Sequence, residues 1–141
     1  MADIIAPLSY ETRISYADTD AGGIIYHARY IEMAERARLD MLRRLGCAAA
    51  TLIEQHGGLF VVKKLTIDYL QSAGLDSDII IETQPKHIGG SSLLFAQHFY
   101  HQRGTEKIPL ASLEILLVFV AYKSRKATRI PTSLRQLFYR S

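Results

Sequence analysis

The sequence predicts an α+β fold in which a roughly five-stranded antiparallel sheet wraps around one long helix. Apolar residues follow a helical period over one long stretch, 28–45, whereas most of the chain after residue 58 follows the period of two that is typical of strands. The links between the later strands are too short for the crossover that parallel neighbours require. Packing the helix against one sheet is the economical arrangement, and we expect a single domain, 1–141.

The first predicted strand spans residues 8–16, with Ile14 and Tyr16 on the same face. The segment 18–23 follows, and its Asp, Thr and Gly residues are typical of turns because they bond to their own backbone or adopt unusual dihedrals. We therefore expect a tight loop between this strand and the long helix.

The most regular segment is the helix predicted from about residue 28 to 45. Apolar side chains recur there at spacings of three and four and form one stripe: Ile31, Ala34, Ala37, Met41, Leu42 and Leu45. Acid–base pairs four residues apart, such as Glu32 with Arg36, support the helix. Gly46 follows at the position where a left-handed residue often ends a helix.

The rest of the chain alternates between turn signals and strand patterns. The remaining predicted elements are a short helix at 48–55, strands at 59–70, 77–87, 91–103 and 110–123, and a closing helix at 131–139. Pro109 is expected to precede the last strand. The centre of that strand, 113–120, is almost entirely apolar, which suits burial on both faces.

The composition is that of a soluble globular protein, with 48% hydrophobic and 22% charged residues. No apolar run approaches the roughly 20 residues of a membrane span. The first residues lack the basic and apolar regions of an export signal, so we expect a cytoplasmic protein. Cys47 is the single cysteine, which excludes an intramolecular disulfide and a multi-cysteine zinc site. We expect a buried structural thiol rather than a catalytic one.

The formal net charge is +3, and the excess is concentrated near the C-terminus. The basic residues there are Lys123, Arg125, Lys126, Arg129, Arg135 and Arg140. Such a patch suits nucleic acid, anionic lipid or a phosphorylated ligand, and an ordinary solvated tail is equally compatible with it. The neighbouring aromatic residues form no regular stacking stripe, which disfavours nucleic acid as a partner.

The candidate chemistry lies at the junction between the first strand and the long helix. The segment that starts at Asp18 begins like a calcium loop. Its later ligand positions, however, are Gly22 and Arg29, where such loops carry an oxygen ligand and a bidentate glutamate. We therefore exclude calcium and expect no metal. A Gly-x-Ser-x-Gly nucleophile elbow is also absent from the sequence.

Asp20 and His27 favour a hydrolytic site. An aspartate is ionised by default at neutral pH, so Asp20 can activate water as a general base or attack an acyl carbon directly. The backbone N–H of His27 falls near the predicted helix start, where free N–H groups suit a carbonyl oxygen that gains negative charge. The same residues have a second interpretation. They would form a capping turn before the helix, in which Tyr26, His27 and Tyr30 are packing residues.

The segment Thr19–His27, together with Tyr30, resembles the signature of the 4-hydroxybenzoyl-CoA thioesterase family of hotdog-fold proteins. The segments 35–38 and 60–69 resemble the YbgC-type acyl-CoA thioesterases of bacteria, and the resemblance spans about residues 13 to 131. It implies a hotdog fold and hydrolysis of an acyl-CoA thioester. It implies no metal or organic cofactor, since coenzyme A is part of the substrate.

The resemblance also implies roles for individual residues. Asp20 matches the catalytic carboxylate of the family. His27 matches the position at the helix start that polarises the thioester carbonyl, and Gly23 matches the tight turn that precedes this helix start. Asp18 matches a less essential position. The further expected substrate contacts are Tyr26, Tyr30, Lys63, Ser91 and Ser92.

Members of this family assemble as dimers whose sheets join edge to edge, often paired again into tetramers or hexamers, so the resemblance implies active sites between subunits. Relatives often carry a basic residue in the turn before the Ser/Thr pair, where CoA phosphates bind, whereas 88–92 has none. Other basic residues could bind the CoA phosphates instead: Lys63, Lys86, or Arg125 together with Lys126. An acyl carrier protein is an alternative to CoA, because its acidic surface would complement the positive charge.

A second hypothesis is a non-catalytic module that holds acyl-CoA or an acyl carrier protein. The resemblance gives such a module a context in the Tol–Pal system of the cell envelope, with a link to phospholipid-synthesis proteins. The presence of Asp20 together with the Tyr26–His27 pair favours the enzyme.

Overall fold

A computed structural model describes residues 3–141 as one sheet and three helices. The elements in chain order are β1 (Leu8–Arg13), α1 (Arg29–Arg44), α2 (Leu52–His56), β2 (Gly58–Tyr69), β3 (Asp78–Ile88), β4 (Ser92–Arg103), β5 (Glu106–Ala121) and α3 (Thr132–Arg135). All neighbouring strands are antiparallel, in the order β1-β3-β4-β5-β2. The predicted α+β architecture is confirmed.

Helix α1 packs its apolar stripe against the inner face of the sheet. Ala34 and Ala37 are fully buried, and their small side chains allow a close approach to the strands. Ile31 was predicted in this stripe but is exposed, and Tyr30 is buried instead. Gly46 has a φ of 91° and ends the helix as predicted. None of the helices within residues 3–141 is long and apolar enough to cross a membrane.

Strand β1 is shorter than predicted. Ile14 is buried, but the strand ends at Arg13 and Tyr16 is 82% exposed, so the prediction that Ile14 and Tyr16 share a face is wrong. The reason is a 3-10 turn at Tyr16–Asp18, in which the carboxylate of Asp18 accepts hydrogen bonds from the backbone and hydroxyl of Ser15. This local bonding competes with continuation of the strand.

Strand β5 begins earlier than predicted, and Pro109 lies inside it rather than before it. Pro109 pairs with Tyr100 next to a register shift, and a proline is tolerated at such a bulge because it has no N–H to donate. The strand also alternates in burial: Ile115 and Phe119 are buried, whereas Glu114 is exposed and Leu116 is half-buried. The prediction of full burial on both faces for 113–120 is therefore wrong.

Strand β2 forms an open edge of the sheet, since it pairs with β5 on one side and with no other strand of residues 3–141. Val61 is exposed on this edge and Val62 is 56% exposed. A bulge between Val62 and Lys64 takes Lys63 out of register. A long edge strand with exposed apolar residues is a natural site for pairing with another chain.

Cys47 is fully buried directly after α1, in the cluster that fills the space between helix and sheet. Burial raises the pKa of its thiol, which keeps the sulfur protonated at neutral pH. The expectation that Cys47 is buried is confirmed.

Candidate active site

The loop between β1 and α1 folds back on itself as a small hairpin. Thr19 and Ile25 form an antiparallel bridge, and the N–H of Asp20 donates to the carbonyl of Ile24 at 2.9 Å. The N–H of Gly23 donates back to the carbonyl of Asp20 at 3.0 Å. Gly23 has a φ of 81°, a left-handed conformation that glycine adopts with little strain. The structure thus places Gly23 in the tight turn where it was expected.

The connection between β2 and β3 anchors this hairpin. Ile24 forms a bridge with Gly74, and the N–H of Ile25 donates to the carbonyl of Ala73 at 2.9 Å. Ile25 and Ala73 are both buried in the core. The loop therefore presents its polar residues from a position that is fixed by backbone pairing on both sides.

The carboxylate of Asp20 is oriented on one side and open on the other. Its Oδ1 accepts a hydrogen bond from the N–H of Gly22 at 2.8 Å and a longer one from the N–H of Ile24 at 3.4 Å. No hydrogen bond from residues 3–141 reaches Oδ2, and the residue is exposed. A carboxylate with one fixed oxygen and one open oxygen is suited to act as a general base or a nucleophile.

His27 lies two residues before α1 begins at Arg29. Its carbonyl accepts a hydrogen bond from the hydroxyl of Tyr69 at 2.8 Å, which fixes the orientation of the backbone at this point. Within residues 3–141, no acceptor binds the backbone N–H of His27. A free N–H beside a helix start can bind a carbonyl oxygen as negative charge develops on it.

Asp18 is bonded on both oxygens and is buried. Its Oδ2 accepts from Ser15, and its Oδ1 accepts from Nε and Nη2 of Arg29 at 3.1 and 2.9 Å. Burial works to raise the pKa of Asp18, but the hydrogen bonds from Ser15 and Arg29 outweigh it and hold the pKa below its ordinary value. Asp18 thus pins the start of α1 to the end of β1 and has no free oxygen for chemistry.

We expect Asp18→Asn to lower the free energy of unfolding at pH 7 by about 1 to 3 kcal/mol, because Arg29 loses its charged partner. A carboxylate whose pKa is depressed on folding stabilises the protein above its unfolded pKa of about 4, and this contribution is lost as the pH falls through the folded pKa. The difference from wild type should therefore shrink at pH 3, as measured by urea unfolding at both pH values.

The matched control for this prediction is Asp78→Asn. Asp78 makes an exposed ion pair with Arg13, and exposed pairs contribute little to stability. An equal loss of stability for Asp18→Asn at both pH values would contradict the assigned role.

Aromatic residues form one wall of a cavity of about 330 Å³ beside the loop. Tyr69 contacts Tyr30 edge to face at a centroid distance of 5.3 Å, and Tyr30 contacts Phe99 in the same way at 5.2 Å. Tyr30 is buried, whereas Tyr26 and Tyr69 are exposed. Tyr69 falls within the strand predicted at 59–70, but the sequence carried no signal of a site role for it, because only the fold brings the end of β2 beside the helix start.

Three of the predicted substrate contacts lie far from this loop within the protomer: Lys63, Ser91 and Ser92. Ser92 pairs with Val118, which pairs with Val61 of β2, whereas Tyr69 pairs with Ala111. Seven positions of β5 separate Val118 from Ala111, which corresponds to about 23 Å along the strand. The serines therefore lie at the opposite end of the sheet from Tyr69 and the loop that it contacts.

The turn at Gly89–Gly90 has no basic residue in its own sequence, but two arginines approach it from the C-terminal segment. Nη2 of Arg135 donates to the carbonyls of Gly89 and Gly90 at 2.5 and 3.1 Å. Nη1 of Arg129 lies 3.8 Å from the position that a side chain on Gly90 would occupy. Local sequence reasoning missed this arrangement, because these arginines are about forty positions away along the chain.

Comparison with known proteins identifies the family of the chain. The family model of the Thioesterase-like superfamily matches residues 14–138. The acyl-CoA thioesterase YbgC of Haemophilus influenzae is 37% identical over 131 residues, which cover 93% of each chain. The acyl-CoA thioester hydrolase YbgC of Escherichia coli O6:H1 is 36% identical over 125 residues, covering 89% of this chain and 90% of the relative.

The fold is also similar to that of a solved structure. A crystal structure of a mutant 4-hydroxybenzoyl-CoA thioesterase in complex with 4-hydroxybenzoyl-CoA is similar with a TM-score of 0.88 and covers 95% of this chain and 99% of that one. The two sequences are 16% identical, so this likeness describes the fold, which is of the hotdog type.

Proposed function

Because the chain belongs to the Thioesterase-like superfamily and is a thioester hydrolase with the hotdog fold, we propose that its substrates are acyl-CoA thioesters and that Asp20 performs the chemistry. The observation that carries the proposal is the loop from Asp20 to His27, which combines a carboxylate with one open oxygen and a backbone N–H without a partner in residues 3–141. The acyl-CoA thioesterase activity of the YbgC relatives supports the choice of substrate.

In the proposed reaction, the thioester carbonyl accepts a hydrogen bond from the N–H of His27. Asp20 either removes a proton from the attacking water or attacks the carbonyl carbon itself, which forms an anhydride that water then cleaves. The C–S bond breaks, the sulfur leaves as a thiolate, and it takes up the proton. A thioester carbonyl is poorly stabilised by resonance and a thiolate is a good leaving group, so the mechanism needs no metal or organic cofactor.

The direct test is a thiol-release assay with short, long and aromatic acyl-CoAs. Turnover of at least one class supports the proposal, whereas binding of acyl-CoA without thiol release by the wild-type protein would favour the non-catalytic module. The assay also compares acyl-CoA with acyl carrier protein as the thiol carrier, since the net charge of +3 suits an acidic partner. A cytoplasmic location and the link to the Tol–Pal system stay predictions.

We propose further that the enzyme is a homodimer in which two β2 edges pair in antiparallel orientation. This pairing places the Tyr69 end of one strand beside the Gly58 end of the other, so the loop of one protomer approaches the Ser91–Ser92 region of its partner. The exposed apolar edge of β2 and the separation of the predicted substrate contacts both support it. Association of dimers into tetramers or hexamers stays a prediction.

The basic residues near the Gly89–Gly90 turn are the best candidates for the CoA phosphates. Arg129 lies beside the turn, and Lys63 lies on the edge strand that we propose at the dimer interface. Lys86, a further candidate, lines an outer-face groove together with Asp68 and Glu114, whose charges oppose an anionic ligand. The guanidinium of Arg125 lies over the ring of Tyr122 at 4.8 Å.

We expect the double variant Lys63→Gln/Arg129→Gln to raise KM for acyl-CoA by about tenfold, because charge-assisted bonds to phosphate are lost. The KM for the same acyl group on N-acetylcysteamine, which has no phosphate, should not change. Lys123→Gln is the control for the loss of one surface charge. An equal rise in KM for both substrates would show that Lys63 and Arg129 do not bind the CoA phosphates.

A further inference from the structure

A second cavity, of about 300 Å³, lies between α1, α2 and the end of the sheet where β2 begins. Its walls are mainly apolar and include Leu39, Leu42, Leu52, Phe60, Leu93 and Leu117. Two charged side chains of α1, Glu35 and Arg38, also line it. Glu35 is exposed, whereas Arg38 is only 7% exposed.

A chain of hydrogen bonds holds Arg38 in place. Nη1 of Arg38 donates to Oε1 of Gln97 at 3.0 Å. Nε2 of Gln97 donates to the carbonyl of Ala34 at 2.9 Å and to the hydroxyl of Thr83 at 3.0 Å. Gln97 and Thr83 are fully buried, so the guanidinium is fixed by partners that cannot move to other contacts.

The guanidinium of Arg38 lacks a charged partner. No carboxylate of residues 3–141 lies within 4.0 Å of it, and its bond to Gln97 is the one side-chain hydrogen bond that those residues provide. Burial works to lower the pKa of Arg38, with Glu35 opposing this, but an arginine stays charged in proteins. A mostly buried cation with no anion in direct contact is unfavourable, and apolar side chains would pack more stably here. The other guanidinium nitrogens of Arg38 are not among the fully buried unpartnered atoms of residues 3–141, so they are open to the cavity and can bind a ligand there.

The cavity lies at the Gly58–Val62 end of β2, which antiparallel edge pairing brings close to the catalytic loop of the partner. An acyl chain whose carbonyl lies at that loop would enter a mainly apolar cavity in which Arg38 is the buried charged group and Glu35 is the exposed one. The guanidinium fork matches the two oxygens of a carboxylate in geometry and charge.

Resting on the proposed function, we propose that this cavity binds the acyl chain of the substrate and that Arg38 binds a carboxylate at the far end of that chain. The preferred substrates are then CoA monothioesters of dicarboxylic acids. Arg38 is the specificity-determining residue, and Gln97 is the positioning residue that holds it.

Binding of non-hydrolysable thioether analogues tests this assignment without relying on catalysis. S-alkyl-CoA analogues in matched pairs of several chain lengths, ending in a carboxylate or a methyl group, are titrated into the wild-type protein by calorimetry. We expect the carboxylate analogue to bind about tenfold more tightly at the length that reaches Arg38. In Arg38→Met this preference should disappear. The matched control is Arg36→Met on the exposed face of the same helix, which should keep it.

Equal binding of both analogues to the wild type at every chain length would overturn the proposal. This comparison uses only the wild-type protein, so it does not depend on whether a variant folds. Retention of the preference in Arg38→Met would overturn it as well, as would tighter binding of an analogue that ends in a hydroxyl. If Arg38→Met does not fold, Arg38→Lys, which keeps the charge but loses the fork, should weaken the preference.

The two proposals fail in different assays. Undiminished thiol release by Asp20→Asn would refute the catalytic role while leaving the analogue titrations unaffected. Absence of a carboxylate preference would refute the role of Arg38 while leaving hydrolysis of simple acyl-CoAs intact. The mass of Arg38→Met in solution is measured in parallel. Loss of the dimer in this variant, with no carboxylate preference in the wild type, would assign Arg38 to the subunit contact instead.

Discussion

Asp20→Asn is expected to lower kcat for acyl-CoA hydrolysis by about 10² to 10⁴-fold, which is the range for removal of a positioned general base. The fold should survive, because the amide oxygen of asparagine can still accept the hydrogen bonds from Gly22 and Ile24 that orient the side chain. What is lost is the negative charge on the open oxygen. Thiol release measures the first effect, and thermal unfolding with binding of a thioether analogue measures the second.

The control for this experiment is Asp40→Asn, which removes a carboxylate that pairs with Arg44 on α1, far from the loop. Wild-type turnover by Asp20→Asn would remove Asp20 from the mechanism. A variant that neither turns over nor binds the analogue would instead show that the side chain is needed to form the site.

Val62→Asp is expected to separate the dimer and abolish activity at assay concentrations. Val62 is 56% exposed on the edge of β2, so a carboxylate there is well solvated in the isolated protomer. Edge pairing would remove that carboxylate from water, which costs several kcal/mol and raises the dissociation constant by about a thousandfold or more. Activity should fall with the dimer, because each catalytic loop would lose the residues that its partner supplies.

Val62→Asn separates the effect of charge from the effect of shape. It has nearly the same size as the aspartate variant and changes the wall of the second cavity in the same way, but it carries no charge. We expect it to retain more dimer and more activity than Val62→Asp, as measured by light scattering and thiol release over a range of protein concentrations. A fully active Val62→Asp monomer would show that one protomer contains the whole site.

Much of the scaffold follows from local patterns in the sequence. The period of α1, the left-handed end at Gly46 and the existence of all five strands were predicted, because each depends on residues a few positions apart. The predicted strand boundaries were wrong where another interaction competed with the local preference. The carboxylate of Asp18 accepts a hydrogen bond from the backbone N–H of Ser15, which ends β1 early, and a bulge accommodates Pro109 inside β5.

The sequence by itself determined the turn that carries Asp20 and Gly23, because that turn is closed by hydrogen bonds between residues within four positions of each other. Only the tertiary structure decided what surrounds that loop. Tyr69 reaches the carbonyl of His27 across 42 positions, and Arg38 reaches Gln97 across 59. Such contacts depend on strand order and on where a helix crosses the sheet, which the burial of the whole core determines and no local spacing encodes.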